Sequence, residues 1–310
     1  MTAEASLIAV DWGTTRFRAW LVGQGGEILD RVDTAAGILS VAGGDFGGTF
    51  DRLVGAWLQK QAHLPVVASG MIGSRQGWRE APYVECPAGA GDLAGKLVSV
   101  ISPAGHEVRL VPGVMRTDGD GVPDVMRGEE TQIVGCLAEG DAPRRLFVLP
   151  GTHSKWAVVE AGRITRFATF MTGELFALLR GHGILGRLME GDAHDPLTFR
   201  RGVDYGSKAD GGLLKRLFSV RTLALFDQLP AAGVAAYLSG LLIGREIAEA
   251  IAWVGSPHVA TARPTIVGSS TLASRYAEAL AQLGIESRTG PEEVVVAGIR
   301  RILAAGGLAR

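Results

Sequence analysis

The pattern of apolar and polar positions begins with a short apolar run at residues 7–11 that ends in a polar residue. Residues 16–22 then alternate, with Phe17, Ala19 and Leu21 on one face, which is the period of a half-buried strand. The glycine-rich segment 23–26 predicts a hairpin, and a third strand follows at 27–33. The chain is therefore predicted to open with a three-stranded meander.

The same layout returns in the second half of the chain. An apolar run at 146–149 is followed by a turn at 150–154, a strand at 155–160, a tight hairpin at Ala161-Gly162 and another strand at 163–170. Sequence identity between the two copies is low, so the shared order of elements carries the inference. Two copies of strand, Gly-Thr turn, strand, hairpin and strand indicate a duplicated module.

Helical patterns follow each meander. Helices are predicted at 46–61, near 94–101, and at 128–138, 174–180, 212–225, 233–254 and 271–283, with strands at 66–68 and 265–267. Pro291 is expected at the first position of a last helix that runs to about residue 303. Alternating strands and helices predict an α/β fold. The segment 141–145 is the candidate boundary between an N-terminal domain, 1–143, and a C-terminal domain, 144–310, whose last helix is expected to pack back on the first.

Composition limits the possible functions. Of the 310 residues, 47% are hydrophobic, which suffices for two packed cores. The formal net charge of -1 gives no basic signature for nucleic acid or an anionic membrane. The two cysteines and scattered histidines favour neither a disulfide framework nor a zinc site. These observations predict a cytoplasmic globular protein; a homodimer is left open.

The first turn contains Asp11, Trp12, Gly13, Thr14 and Thr15. Its glycine allows the backbone to approach a phosphate, and its N–H groups and threonine hydroxyls can donate to phosphate oxygens. The carboxylate can hold the hydrated Mg²⁺ that accompanies ATP. The alternative is an ordinary hairpin turn whose side chains satisfy their own backbone.

The second turn repeats this chemistry with Gly151, Thr152, His153, Ser154 and Lys155. Taken singly, His153 and Lys155 are typical of a solvated turn. As a pair, two such turns facing each other across a cleft would hold a triphosphate from both sides. We therefore predict that residues of both turns bind the phosphates of ATP.

Two other segments carry candidate chemistry. Gly268 and Ser269 lie between a strand and a helix, where they would leave room for adenine or ribose; a simple helix N-cap is the alternative. Glu129 and Glu130 begin a helix between the meanders, where either carboxylate could take the proton of an attacking hydroxyl. Acids that complement a helix N-terminus are the alternative there.

The loop at 69–83 combines glycines, arginines and aromatic side chains, which suits a small polar anion. Arg75 or Arg79 could bind a carboxylate with two parallel hydrogen bonds. A surface loop with solvated arginines is the alternative. The candidate substrate-binding residues are Arg18, Gly70, Met71, Arg75, Trp78, Arg79 and Tyr83.

Taken together, five blocks resemble the 2-dehydro-3-deoxygalactonokinase family. They are Asp11-Trp12-Gly13-Thr14-Thr15 with Arg18-Ala19-Trp20, Gly70-Met71-Ile72-Gly73-Ser74 with Ala81-Pro82-Tyr83, Arg127-Gly128-Glu129-Glu130-Thr131-Gln132, Pro150-Gly151-Thr152-His153-Ser154-Lys155-Trp156, and Phe170-Met171-Thr172-Gly173-Glu174-Leu175. The resemblance runs from the N-terminus to about residue 250, which is most of the chain, and the blocks are specific as a set.

The resemblance implies the fold shared by actin, sugar kinases and the heat-shock chaperone ATPase domain: two ribonuclease-H-like domains around a nucleotide cleft. It implies transfer of the γ-phosphoryl group of ATP to the terminal (6-) hydroxyl of 2-dehydro-3-deoxy-D-galactonate. Many members of that superfamily carry Asp where this chain has Pro150, so Mg²⁺ would depend on Asp11.

The same resemblance implies roles for the candidate residues. The two Gly-Thr turns would be the phosphate motifs, Gly268-Ser269 the adenosine motif, and Glu129-Glu130 the position of the general base. Three alternatives stay open: a polyphosphate or guanosine-polyphosphate phosphohydrolase of the same superfamily, a kinase for the gluconate-derived epimer, and a non-enzymatic actin-like module.

Overall fold

The computed structural model describes residues 4–61, 63–138, 142–191, 194–255, 263–291 and 293–308. Contacts divide the chain into two units. The first contains Met1–Pro143, Val159–Arg166 and Glu293–Arg310, and the second contains Arg144–Val158 and Phe167–Glu292. Each unit has its own sheet and its own apolar core.

The elements are numbered here in chain order. The strands are β1 (Ala5–Trp12), β2 (Phe17–Gly23), β3 (Ile28–Thr34), β4 (Val66–Ser69), β5 (Tyr83–Glu85), β6 (Val98–Ile101), β7 (Glu107–Leu110), β8 (Gly113–Thr117), β9 (Pro123–Met126), β10 (Arg144–Leu149), β11 (Ser154–Glu160), β12 (Arg163–Phe170), β13 (Thr265–Ile266) and β14 (Arg288–Thr289). The helices are α1 (Phe46–Lys60), α2 (Ala90–Ala94), α3 (Glu129–Cys136), α4 (Thr172–Gly181), α5 (Pro196–Ser207), α6 (Leu213–Leu225), α7 (Val234–Val254), α8 (Ser270–Gln282) and α9 (Val294–Ala305).

The sheets of the two units follow one plan. In the first unit the strand order is β3-β2-β1-β4-β7-β6, and in the second it is β12-β11-β10-β13-β14. In both sheets a meander is extended by a parallel strand next to its first strand, β4 beside β1 and β13 beside β10. The predicted duplication of the module is thus visible in the topology.

A smaller sheet, with strand order β5-β8-β9, belongs to the first unit. Its strands β5 and β8 are parallel, with Tyr83 opposite Gly113, and β8 and β9 are antiparallel, with Val114 opposite Met126. Because β9 ends at Met126, this small sheet carries the chain from the 69–83 loop to the start of α3. Its short strands were not predicted.

Apolar spacing explains how α1 packs. Its buried residues Phe46, Phe50, Val54 and Trp57 recur every three or four positions, so they form one stripe against the first sheet. Asp45 caps the helix by accepting a hydrogen bond from the Gly48 N–H at 2.9 Å. In the second unit, α7 and α8 supply the corresponding core residues.

The last helix, α9, packs closely on α3 within the first unit. A Cβ at Gly298 would lie 2.0 Å from the Thr131 carbonyl oxygen, so glycine is required at this crossing. Arg301 secures the contact by donating to the carbonyls of Val134 and Gly135 at 2.8 and 2.9 Å. These carbonyls lie in the last turn of α3, where the Val134 carbonyl also accepts from the Leu137 N–H at 3.3 Å.

Two predicted elements were wrong. Residues 94–101 do not form a helix: α2 ends at Ala94, and Val98–Ile101 is strand β6, paired antiparallel with β7. The β-branched side chains favour that strand. Pro291 is not the first residue of the last helix, which begins at Val294. Gly290 still donates to the Ile266 carbonyl at 2.7 Å, so strand geometry persists up to this point.

Helix α5 was not predicted, although its start signals are present: Asp195 accepts hydrogen bonds from the N–H groups of Leu197 and Thr198, and Pro196 follows it. Among the described residues, one helical stretch, Ala231–Val254, is long and apolar enough to span a membrane by length and composition. However, 78% of its apolar segment is buried inside the protein, as in the core helix of a globular protein.

Candidate active site

The first turn closes directly after β1. The Gly13 N–H donates to the Arg16 carbonyl at 2.9 Å, which leaves Thr14 and Thr15 exposed at the tip. Trp12 anchors the turn because its buried indole donates to the Ala36 carbonyl at 2.8 Å. The backbone of the turn is therefore fixed while its two hydroxyls face outward.

Asp11 lies at the carboxyl end of β1, opposite Arg18 on β2 and beside Ser69 on β4. Its side chain is 12% exposed and accepts a hydrogen bond from the Arg18 guanidinium. Burial raises the pKa of the Asp11 carboxyl, and the Arg18 charge offsets part of that rise. The pair places a largely buried negative group at the base of the first turn.

Two glycines bring backbone against this carboxylate. Gly70 has φ 100°, and a Cβ there would lie 2.8 Å from the Trp12 carbonyl oxygen and 3.2 Å from Asp11 Oδ1. Gly128 has φ 107°, and a Cβ there would lie 3.2 Å from Gly70 Cα. The ends of β1 and β4 and the start of α3 therefore meet at one point of the first unit. Glycine allows this close approach because it has no Cβ and adopts positive φ without strain.

Glu130 lies next to this meeting point and is fully buried. Its Oε2 accepts from the Gly128 N–H at 2.7 Å, and its Oε1 accepts from the Thr131 hydroxyl at 2.9 Å. Burial, and secondly the charge of Glu129, raise the pKa of Glu130 to about 7, while these hydrogen bonds limit the rise. A carboxyl with this pKa can exchange a proton near neutral pH.

Glu129 differs from its neighbour. It is half-buried, and its Oε2 accepts from the Arg127 N–H at 3.0 Å. The structure thus separates the two acids into a fully buried one and a partly accessible one.

The second turn lies at the corresponding place in the second unit, between β10 and β11. Thr152 and His153 are exposed there, and His153 pairs with Glu174 on α4. A Cβ at Gly173 would lie 2.3 Å from the Gly151 carbonyl oxygen, so the start of α4 rests directly on the turn. Lys155 is buried and donates to the Thr169 hydroxyl at 2.8 Å.

Ser154, also predicted to contact phosphate, directs its hydroxyl into the core. It donates to Glu246 Oε1 on α7 at 2.7 Å. Gly268 and Ser269, the predicted adenosine motif, are exposed where β13 leads into α8. Ser269 occupies the N-cap position of α8, but its side chain makes no capping hydrogen bond. The structure therefore gives no support to the alternative that Ser269 serves only as a helix cap.

The predicted substrate-binding residues occupy different surroundings. Arg75 is 87% exposed and pairs with Glu80, and Arg79 is exposed and donates to the Ser99 carbonyl at 3.1 Å. Trp78 packs against the first core, near Trp12 and Phe50. Met71 is half-buried directly after Gly70, and the half-buried Tyr83 ring lies under the Arg127 guanidinium at 4.3 Å.

Comparison with known proteins decides the family. The family model of 2-keto-3-deoxy-galactonokinase matches residues 11–302 of this chain. The chain belongs to the 2-keto-3-deoxy-galactonokinase family. The Escherichia coli (strain K12) protein named "2-dehydro-3-deoxygalactonokinase" is 35% identical, over 96% of this chain and 97% of its own length. The Rhizobium meliloti (strain 1021) protein named "Probable 2-dehydro-3-deoxygalactonokinase DgoK1" is 39% identical over the same shares.

Solved structures agree with this membership. A crystal structure from Sinorhizobium meliloti, provisionally described as a 2-dehydro-3-deoxygalactonokinase, superposes with a TM-score of 0.88 at 38% identity, covering 96% of this chain and 98% of that one. Component A of the Acidaminococcus fermentans (R)-2-hydroxyglutaryl-CoA dehydratase shares the fold with a TM-score of 0.51 at 14% identity. The predicted fold class, two ribonuclease-H-like domains of the actin-like ATPase type, and the predicted family are confirmed.

The first unit offers one carboxylate, Asp11, to a magnesium ion. Mg²⁺ usually keeps several waters and contacts one or two carboxylates and the substrate phosphates. Asp11 could supply one such carboxylate, at the base of a turn with two exposed hydroxyls. Within the described ranges no cluster of three or more His, Cys, Asp or Glu side chains could hold a metal by protein ligands alone.

Sequence reasoning missed buried charged residues, of which two lie next to the candidate residues. Glu246 is 3% exposed and accepts from Ser154, from the Trp156 indole at 2.8 Å and from the Tyr276 hydroxyl at 2.6 Å. Burial raises the pKa of Glu246, and its hydrogen bonds limit the rise. Its position three residues after Ile243 on an apolar face of α7 was an available signal. Arg127, the second, stands in the Arg-Gly-Glu-Glu block, but nothing in that block shows its burial.

Proposed function

We propose that this protein transfers the γ-phosphoryl group of ATP to the 6-hydroxyl of 2-dehydro-3-deoxy-D-galactonate. One observation supports this most: within a chain of the 2-keto-3-deoxy-galactonokinase family, each unit carries an exposed Gly-Thr turn at the same place in the same strand order. The two turns would hold the phosphates of one ATP, and Gly268 and Ser269 would contact its adenosine.

The chemistry that we propose needs one base. Phosphoryl transfer depends mainly on positioning and charge neutralisation, with a carboxylate to accept the proton of the attacking hydroxyl. Glu130 would take that proton as the O6–Pγ bond forms, and the Pγ–O bond to ADP would break on the opposite side. Its raised pKa, about 7, suits this exchange at neutral pH.

Mg²⁺ would neutralise charge on the phosphates when bound, with Asp11 as its carboxylate. Arg18 keeps the Asp11 side chain in place through their ion pair. Lys155 would add positive charge beside the second turn. As part of the same proposal, the predicted N-terminal domain, 1–143, would bind the sugar acid, and the predicted C-terminal domain, 144–310, would bind the adenosine. By contacts, residues 159–166 and 293–310 belong to the first unit. A cytoplasmic location and a homodimer remain predictions.

The test is an ATP-coupled assay with purified protein and Mg²⁺. The acceptors are 2-dehydro-3-deoxy-D-galactonate, its gluconate-derived epimer, and buffer alone, and the product is located by phosphorus–proton NMR. We expect ADP formation that requires an acceptor and a phosphate ester at C6. Phosphate release without acceptor would indicate a phosphohydrolase instead. Higher kcat/KM for the epimer would reassign the substrate.

A further inference from the structure

Glu246 on α7 carries a buried carboxylate that the proposed chemistry does not use. Its Oε1 accepts from the Ser154 hydroxyl at 2.7 Å and from the Trp156 indole N–H at 2.8 Å. Its Oε2 accepts from the Tyr276 hydroxyl at 2.6 Å, and the Thr172 hydroxyl is a further donor. Burying a carboxylate is costly without such donors, so the carboxylate and its four donors hold one another in place.

Two of these donors lie at the second turn. Ser154 is the last residue of that turn, and Thr172 begins α4. The backbone joins the same two segments, because the Glu174 N–H in the first turn of α4 donates to the Thr152 carbonyl at 2.9 Å. Through Ser154 and Thr172, Glu246 therefore holds both the turn and the helix that rests on it.

Another donor lies on the helix that follows the predicted adenosine motif. Tyr276 belongs to α8, which begins directly after Ser269. Gly268 of the same motif lies against the second turn, since a Cβ there would be 3.4 Å from the Pro150 carbonyl oxygen. The turn and the motif are thus neighbours within the second unit, and Glu246 joins the elements that carry them.

We propose that Glu246 is a positioning residue for ATP, which fixes the second turn through Ser154 and the adenosine motif through Tyr276. This inference rests on the proposed function and adds a residue that acts from beneath the site. The three side chains belong to residues that are 0–3% exposed, so they act by holding backbone segments rather than by contact with the nucleotide. Small displacements of binding groups are costly, which is why a site needs such support.

The decisive variant is Tyr276→Phe, because Tyr276 lies outside both predicted ATP-binding motifs. Calorimetry with a non-hydrolysable ATP analogue and Mg²⁺ measures the dissociation constant without an acceptor. We expect that constant to rise about tenfold, the value of one hydrogen bond to a charged group. In the coupled assay KM for ATP should rise in parallel, with KM for the sugar acid and kcat within about threefold of wild type.

The matched control is Tyr237→Phe. Tyr237 is also buried in the second unit, and its hydroxyl pairs with the Ser219 hydroxyl at 3.0 Å, on α6. Both variants lose one buried phenolic hydroxyl and should lower the thermal unfolding midpoint to a similar extent. Only Tyr276→Phe should weaken ATP, because a merely structural loss reduces the folded fraction and leaves the affinity of folded molecules unchanged.

Glu246→Gln tests the carboxylate itself. Its amide nitrogen cannot accept, so the variant loses the acceptor either of Ser154 and Trp156 or of Tyr276. We expect ATP to bind about tenfold more weakly here as well. Adding Tyr276→Phe to Glu246→Gln should weaken ATP by less than it does in wild type, because the two residues act through one hydrogen bond.

The outcomes separate this inference from the function on which it rests. If wild type binds no ATP analogue, the proposed function and the inference both fail. If wild type binds the analogue but phosphorylates no sugar acid, the proposed acceptor is wrong and the dissociation constants still decide the role of Glu246. Wild-type affinity in Tyr276→Phe or Glu246→Gln, or equal weakening in Tyr237→Phe, would overturn the inference.

Discussion

Replacing Glu130 by Gln tests the central chemical assignment. Gln has nearly the same shape and can still accept a hydrogen bond from the Gly128 N–H or the Thr131 hydroxyl, but it cannot take a proton. We expect kcat to fall by about 10²–10⁴-fold, the usual contribution of a general base, with KM for both substrates changed little. The fall should persist at every pH, because the missing group is the one that titrates.

The pH dependence gives a sharper test. Since the base must be ionised, wild-type kcat/KM should rise with pH through an apparent pKa near 7. The charge of Glu129 contributes to that raised pKa. Glu129→Gln should therefore stay active and move the rise in activity to lower pH. Full activity of Glu130→Gln, or inactivity of Glu129→Gln with a normal fold, would refute the assignment of Glu130 as base.

Stability gives an independent magnitude. The pKa of Glu130 rises from 4.5 to about 7, and one pKa unit corresponds to about 1.4 kcal/mol. Because the folded pKa is the higher one, this stabilising contribution is complete below pH 4.5 and is lost as the pH rises through 7. The loss should amount to about 3 kcal/mol, and Glu130→Gln should remove it. Urea unfolding of both proteins at pH 4 and pH 8 measures the difference.

Three further substitutions test how the turns are built. Gly70→Ala should lower kcat strongly and destabilise the fold by about 1–3 kcal/mol, because its Cβ would lie 3.2 Å from Asp11 Oδ1 at φ 100°. Gly105→Ala, at φ 87° with open space, is the control in unfolding and kinetic assays, and equal effects would contradict the clash. Gly173→Ala should raise KM for ATP by displacing the second turn, whereas Gly181→Ala on the same helix meets nothing within 4 Å and should not; similar KM values would sink this assignment. Asp11→Asn should raise the Mg²⁺ concentration needed for half-maximal rate, and an unchanged requirement would exclude this carboxylate as the metal contact.

The elements that sequence reasoning found are those whose signals are local. Both meanders have strands, glycine turns and hairpins within a few tens of residues, so alternation and turn chemistry define them. The sheet β5-β8-β9 has strands of three to five residues. A local turn at 118–122 joins β8 to β9, but β5 and β8 pair across residues 86–112. No local pattern specifies such pairing, and the position of Tyr83 beside Arg127 depends on it.

The candidate site divides in the same way. The turns at Gly13 and Gly151 were predicted from their repetition, because either turn alone is equally typical of an ordinary hairpin. The structure places both turns at the same strand junction of their sheets, and their role in binding phosphate stays a prediction. Glu246 was missed, since the sequence shows its place in an apolar helix but not the donors that the fold brings to it. The exposed loop supplied Arg75 and Arg79 as candidates, and the structure gives both arginines other partners.

Each unit contains a buried glutamate near its turn, and the two carboxylates differ in what surrounds them. Glu246 accepts from Ser154, Trp156, Tyr276 and Thr172, so donors surround the carboxylate and fix it within the core. Glu130 accepts from the Gly128 N–H and the Thr131 hydroxyl, but the charge of Glu129 lies next to it and, together with burial, raises its pKa. Hydrogen bonds stabilise an ionised carboxylate, whereas a neighbouring carboxylate favours the neutral acid. We therefore expect Glu246 to hold the second turn through Ser154, and Glu130, whose pKa is raised to about 7, to be the acid that exchanges a proton near neutral pH.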